Sequence, residues 1–66
     1  MKREFLVVDW YENPNGEILG IGLTKERANA LAAQRIEDTD GECDVQVYDN
    51  EFDYNIYIEF YDKVFN

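Results

Sequence analysis

Residues 52–61, Phe52-Asp53-Tyr54-Asn55-Ile56-Tyr57-Ile58-Glu59-Phe60-Tyr61, decide the fold, because their even positions form an unbroken apolar series. The odd positions are Asp53, Asn55, Tyr57, Glu59 and Tyr61. A period of two is the signature of a strand with one face on the core. The stretch therefore predicts a β-strand, the clearest in the chain. Just before it, residues 42–48 alternate Cys43, Val45 and Val47 with Asp44, Gln46 and Tyr48, and Asp49-Asn50-Glu51 supplies a turn between the two. The C-terminal part thus predicts a hairpin.

The N-terminal part predicts a second hairpin. Residues 3–12 read as a strand with Leu6, Val8 and Trp10 on one face and Phe5, Val7, Asp9 and Tyr11 on the other. Asn13-Pro14-Asn15-Gly16 combines a fixed φ with residues that tolerate positive φ, the chemistry of a tight reversal. A return strand over 17–23 alternates Leu19, Ile21 and Leu23 against Ile18, Gly20 and Gly22. Between the hairpins, Thr24 is a good N-cap, residues 25–37 repeat Ala28, Leu31, Ala32 and Ile36 at helical spacings, and Gly41 is the expected stop.

The expected fold is a single α+β domain over residues 1–66, ββαββ. A four-stranded antiparallel sheet of order 2-1-3-4 would carry one helix on one face. That helix would bury Leu6, Val8, Trp10, Leu19, Ile21, Leu23, Val45, Val47, Ile56, Ile58 and Phe60 beneath Ala28, Leu31, Ala32 and Ile36. The opposite face would stay open, interleaving Asp44, Asp53 and Glu59 with tyrosines.

Charge sharpens that expectation. The net charge is -9, and nine acids between residues 38 and 62 occur with no intervening Lys or Arg. The other six acids are balanced by all six bases. Phosphate binding is driven by Lys and Arg, so direct nucleic-acid binding is not expected; a basic protein surface is the better electrostatic partner. On a strand, same-side carboxylates repeat at about 6.8 Å and could imitate a row of phosphates. The plainer account is that the acids only keep a small protein soluble and the tyrosines follow β propensity.

Catalysis is not expected. The chain has no His and no Ser, and Cys43 alternates with Val45 and Val47 on the expected core face, where a thiol acts as a small hydrophobe. Zinc needs several Cys or His ligands. Asp38-Thr39-Asp40-Gly41 resembles part of a calcium loop, but with Gly41 at position six, Ile36 and Val47 fall where acidic ligands are required. No cofactor or metal is expected. One cysteine cannot form a disulfide within the chain, and Lys2 and Arg3 precede only four apolar residues before Asp9, too few for a secretory or membrane segment. The expected compartment is the cytoplasm.

In size and acidity the chain resembles the small acidic intracellular proteins of bacteria and their phages, some of which inhibit nucleic-acid-processing proteins. That likeness is compositional and carries no residues across. The expected function is a noncatalytic interaction module that binds a basic protein surface, with inhibition of a nucleic-acid-binding protein as its sharpest form. Its expected contact residues are Asp44, Tyr48, Asp53, Tyr57, Glu59 and Tyr61. The alternative is a structural homodimer packing through Phe5, Val7, Tyr11 and Ile18 on the open sheet face.

Overall fold

The computed structural model describes residues 2–66, in the order β1 (Phe5–Asp9), β2 (Glu17–Leu23), α1 (Lys25–Asp38), β3 (Val45–Asp49) and α2 (Tyr54–Phe65). The class is α+β, but the sheet has three antiparallel strands in the order β2-β1-β3. The expected fourth strand is a helix. The four-stranded 2-1-3-4 sheet with one helical cover is corrected accordingly, and the physical reason lies in β1.

Leu6, Val7 and Val8 are all fully buried. Consecutive strand residues point to opposite faces, so both faces of β1 need a cover. Leu6 and Val8 form one core cluster with Tyr57 and Phe60 of α2, and Trp10, Ile18, Ile21, Tyr48 and Ile56 pack around it. On the other face α1 lies near Asp9, which Arg35 reaches at 2.8 Å. The sheet is thus sandwiched between two helices. The face expected to stay open is closed by α1, and the face assigned to α1 belongs to α2.

Tertiary need also explains why 54–65 coil. Ile56, Tyr57, Phe60 and Val64 recur at steps of one, three and four, which is a helical stripe as well as a partial strand pattern. As a strand beside β3 these residues would lengthen the sheet and leave Leu6 and Val8 uncovered. As a helix they bury Tyr57 and Phe60, and Phe60 meets the Trp10 ring edge-on at 5.8 Å between centroids. Lys63 sits in the last turn, where the helix dipole favours a cation, and follows Glu59 by four residues at 4.0 Å.

The first helix follows its local signals. Thr24 Oγ1 accepts from the Arg27 amide at 3.2 Å, α1 runs to Asp38, and the Gly41 amide donates back to Ile36 at 2.9 Å with Gly41 at φ +83°. Ala28 is fully buried, but Ile36, expected in the core, is half exposed. Strand faces shift as well. The β1–β2 register slips twice, so Ile18 and Ile21, three residues apart, both pack toward α2, while a Cβ on Gly20 would touch Leu23 and Leu31. The expected alternation of Leu19, Ile21 and Leu23 is lost to these bulges. In β3, Val47 pairs with Val7 and Tyr48 with Leu6, which puts Tyr48 rather than Val45 and Val47 on the α2 side.

The reversal at Asn13–Gly16 is where the first hairpin meets α2. Asn13 Oδ1 accepts from the Asn15 amide at 3.2 Å, and Gly16 takes φ +78°. A Cβ there would come within 2.8 Å of Val8 Cγ1 and 3.1 Å of Phe60 Cζ, so Gly16 is needed both for its φ and for the seating of Phe60. Gly41 also has positive φ but nothing within 4 Å of a built Cβ. Gly16→Ala is expected to cost roughly 2 kcal/mol or more in urea unfolding, against about 1 kcal/mol for Gly41→Ala. Equal losses would mean that α2 does not rest on this turn.

Candidate protein-interaction surface

The six residues expected to share one sheet face are dispersed. Asp44 lies just before β3, exposed, with its carboxylate accepting from Gln46 Nε2 at 3.1 Å. Tyr48 is half-buried and its hydroxyl accepts from Trp10 Nε1 at 3.1 Å. Asp53, beyond the other end of β3, stands at the start of α2, where its Oδ2 accepts from the Asp49 amide. Tyr57 is 4% exposed and belongs to the core. Glu59 and Tyr61 are both exposed on α2, but two residues apart on a helix they do not face each other. The homodimer set disperses too: Val7 is fully buried, Phe5 and Ile18 are half-buried, and Tyr11 alone is exposed.

Two carboxylates expected to be ordinary surface or strand acids instead tie the ends of β1. Asp9, 3% exposed, accepts from the Tyr11 and Asp44 amides at 3.0 Å on Oδ1 and from Arg35 Nε at 2.8 Å on Oδ2. Arg35 also reaches Glu17 at 2.8 Å. One carboxylate thereby joins β1, the loop before β3, α1 and, through Arg35, β2. The Asp44 and Tyr11 amides, aided by Arg35, hold the Asp9 carboxyl below the usual carboxylate range against the opposing effect of burial. At the other end Asp49 accepts from the Glu51 and Phe52 amides and from Arg3 at 2.7 Å. Burial, the largest single influence on Asp49, pushes its carboxyl up, but the Phe52 and Glu51 amides and the Arg3 guanidinium together outweigh it and hold it low.

What remains outward is an aromatic stripe on α2. Tyr54, Ile58, Tyr61 and Phe65 follow steps of four, three and four, the a/d spacing of a helix that packs against another helix. Tyr54 is 57% exposed, Tyr61 39% and Phe65 59%; Ile58 is half-buried and Val64, beside the stripe, is 45% exposed. The rings are ordered by each other. Tyr61 stacks on buried Tyr57 at 6.5 Å and meets Phe65 at 4.5 Å between centroids. Asn55 and Asp62 border the stripe on its solvent side, while Glu59 lies further round the helix beside Lys63, which turns away over the Phe60 ring at 4.7 Å.

Tyr54, Ile58, Val64 and Phe65 do not stand out in the sequence as surface residues, because the strand pattern puts Tyr54 in the apolar series and Ile58 in the expected core, and ends near residue 61. Their signal was the four-three-four spacing, which the period of two concealed.

An open groove along α1, lined by Leu19, Leu31, Gln34, Arg35 and Asp38, has a volume of about 150 Å³. Ligand pockets usually enclose roughly 300–1,000 Å³. Among the described residues no group of three or more His, Cys, Asp or Glu is placed to hold a metal, and no helix is long and apolar enough to cross a membrane. Comparisons of the chain with protein-family models, curated proteins and solved structures find no match.

Because the Asp9 and Asp49 carboxyls are lowered in the folded state, their stabilising effect is complete above the unfolded carboxyl pKa of about 3.9 and is lost as pH falls through the lower folded values. Thermal unfolding is expected to drop steeply below about pH 4. Asp9→Ala should cost roughly 2–4 kcal/mol near neutral pH, since two amides and a guanidinium lose their acceptor, and should flatten that acid slope. A variant with wild-type stability at pH 7 would show that Asp9 does not hold the loop.

Proposed function

We propose that this chain is a noncatalytic interaction module that binds a basic protein surface, and that its contact surface is the outer face of α2 rather than a sheet face. The observation that supports the reading is the joining of two features that seldom coexist without use. A chain of net charge -9 leaves Tyr54, Tyr61, Val64 and Phe65 substantially exposed on one twelve-residue helix. Clustered exposed apolar side chains usually mark an interface, and aromatic residues are enriched at such sites.

Charge selects the kind of partner. Asp62 adjoins the stripe, Glu59 lies further round the same helix, and Glu51 and Asp53 precede it. A basic surface would be steered to it and bound with strong salt dependence. Inhibition of a nucleic-acid-binding protein is the sharpest form of this reading, because such a partner presents a basic groove. The carboxylates would then act as a charge rim around an aromatic anchor, since the regular phosphate-like spacing expected of a strand does not arise on a helix.

The homodimer alternative loses its surface, since α1 lies over Val7 and Asp9. The lack of His and Ser favours a role without triad catalysis.

The test uses a partner captured from host extract on the immobilised chain at low salt. Glu59→Lys with Asp62→Lys is expected to weaken its binding at least tenfold, and duplex DNA should displace it. Binding that survives both the charge reversal and an increase to about 0.5 M salt would reject the electrostatic reading. Retention in the presence of DNA would reject the nucleic-acid-mimic form alone.

A further inference from the structure

The stripe on α2 has the dimensions and spacing of a seat for one helix. Tyr54, Ile58, Tyr61 and Phe65 lie at i, i+4, i+7 and i+11. Such positions fall along one line of a helix over three turns, or about 16 Å of rise. Side chains in that pattern form the ridge that a second helix accepts at a shallow crossing angle.

We infer that the occupant of this seat is a basic amphipathic helix of a partner protein, about eleven or twelve residues long at the contact. This rests on the proposed function and specifies it. Charge complementarity decides between that occupant and a second copy of this chain. Asp62, four residues after Ile58 and three before Phe65, adjoins the stripe, whereas Glu59 lies further round the helix with Lys63, the one base on α2, which is drawn over Phe60 and toward Glu59. A partner helix with leucine-like residues on one side and Lys or Arg beside them would bury the rings, meet the Asp62 carboxylate and be attracted by the chain's net charge of -9. A copy of this chain would bring its own -9 charge and set acid against acid.

The anchors are also prepared for such a partner. Tyr61 is held between buried Tyr57 and exposed Phe65, so its rotamer is already restricted before anything binds. Ordering a free aromatic side chain costs binding energy, and prior order removes part of that cost.

The test measures fluorescence anisotropy of two labelled synthetic peptides of identical Lys and Leu composition. In one, the leucines fall at i, i+3, i+4 and i+7; in the other they are scattered around the helix. The amphipathic peptide is expected to bind the full chain at least tenfold more tightly. The double variant Tyr54→Ala/Phe65→Ala should remove that advantage. Both residues are more than half exposed, so the variant should keep its far-ultraviolet circular dichroism. Phe52→Ala serves as the control, because Phe52 is 78% exposed but lies before α2 against Arg3.

Equal binding of the two peptides, with no effect of the double variant, would overturn the helix seat and leave the basic-partner reading standing. Equal loss in Phe52→Ala would overturn it as well, by making the contact generic stickiness. If neither peptide binds at low salt, both readings fall. A dimer in sedimentation that the double variant converts to monomer would make the second copy the occupant and would also overturn the proposal.

Discussion

The burial of β1 on both faces governs this structure. Three consecutive residues, Leu6, Val7 and Val8, are removed from water entirely, and their side chains alternate across the sheet. A short chain with one strongly apolar central strand can meet that demand only with a layer on each side. The crossover from β2 to β3 supplies α1 over Val7, and the segment after β3 must then supply a cover for Leu6 and Val8. A fourth strand would extend the sheet sideways and could not provide it. The helical state of residues 54–65 is thus a consequence of what happens at residues 6–8.

That dependence explains which parts were legible in the sequence. Elements decided locally were read correctly: the Thr24 cap, the helix it begins, the Gly41 stop and the reversal at Asn13–Gly16 each rest on the conformational limits of their own residues. The segment decided at a distance was misread. Residues 52–61 satisfy a period of two, and Ile, Tyr and Phe favour strands by propensity, yet the same residues also satisfy a helical stripe. Local preference left the two states close, and the demand for a second layer chose between them. A warning lay in the first strand, where both faces are apolar; that pattern is characteristic of a strand covered on both sides. The bulges in β2 were not legible for a similar reason, since they arise from pairing with β1 rather than from the composition of residues 17–23.

The candidate site was legible in composition but not in place. Its ingredients, a surplus of acids and an excess of aromatics near the C-terminal end, were visible from residue counts. The fold then divided them. Asp9 and Asp49 went to the ends of β1, where amides and guanidinium groups hold them as structural acceptors. Arg3 and Arg35 were committed to those carboxylates, and Lys63 to Glu59 and the Phe60 ring. Two arginines were thus spent on joining elements, and most acids without such work were left to the surface. The segregation seen in the sequence becomes, in the folded chain, a division between internal clasps and outward charge.

Helix α2 carries both halves of this division. Its inner side, with Tyr57 and Phe60, completes the core that β1 requires; its outer side keeps Tyr54, Tyr61 and Phe65 in contact with water. The two sides communicate through one column of rings, since Tyr57, Tyr61 and Phe65 follow each other at steps of four and pass from 4% to 39% to 59% exposure. A contact made at the outer rings therefore presses on a ring that the core already holds still. Rigid anchors of this kind lose little freedom on binding, which is how a small surface gains affinity without large area. The requirement that forced residues 54–65 into a helix is the same one that fixes the surface they offer, so stability and recognition here depend on a single element.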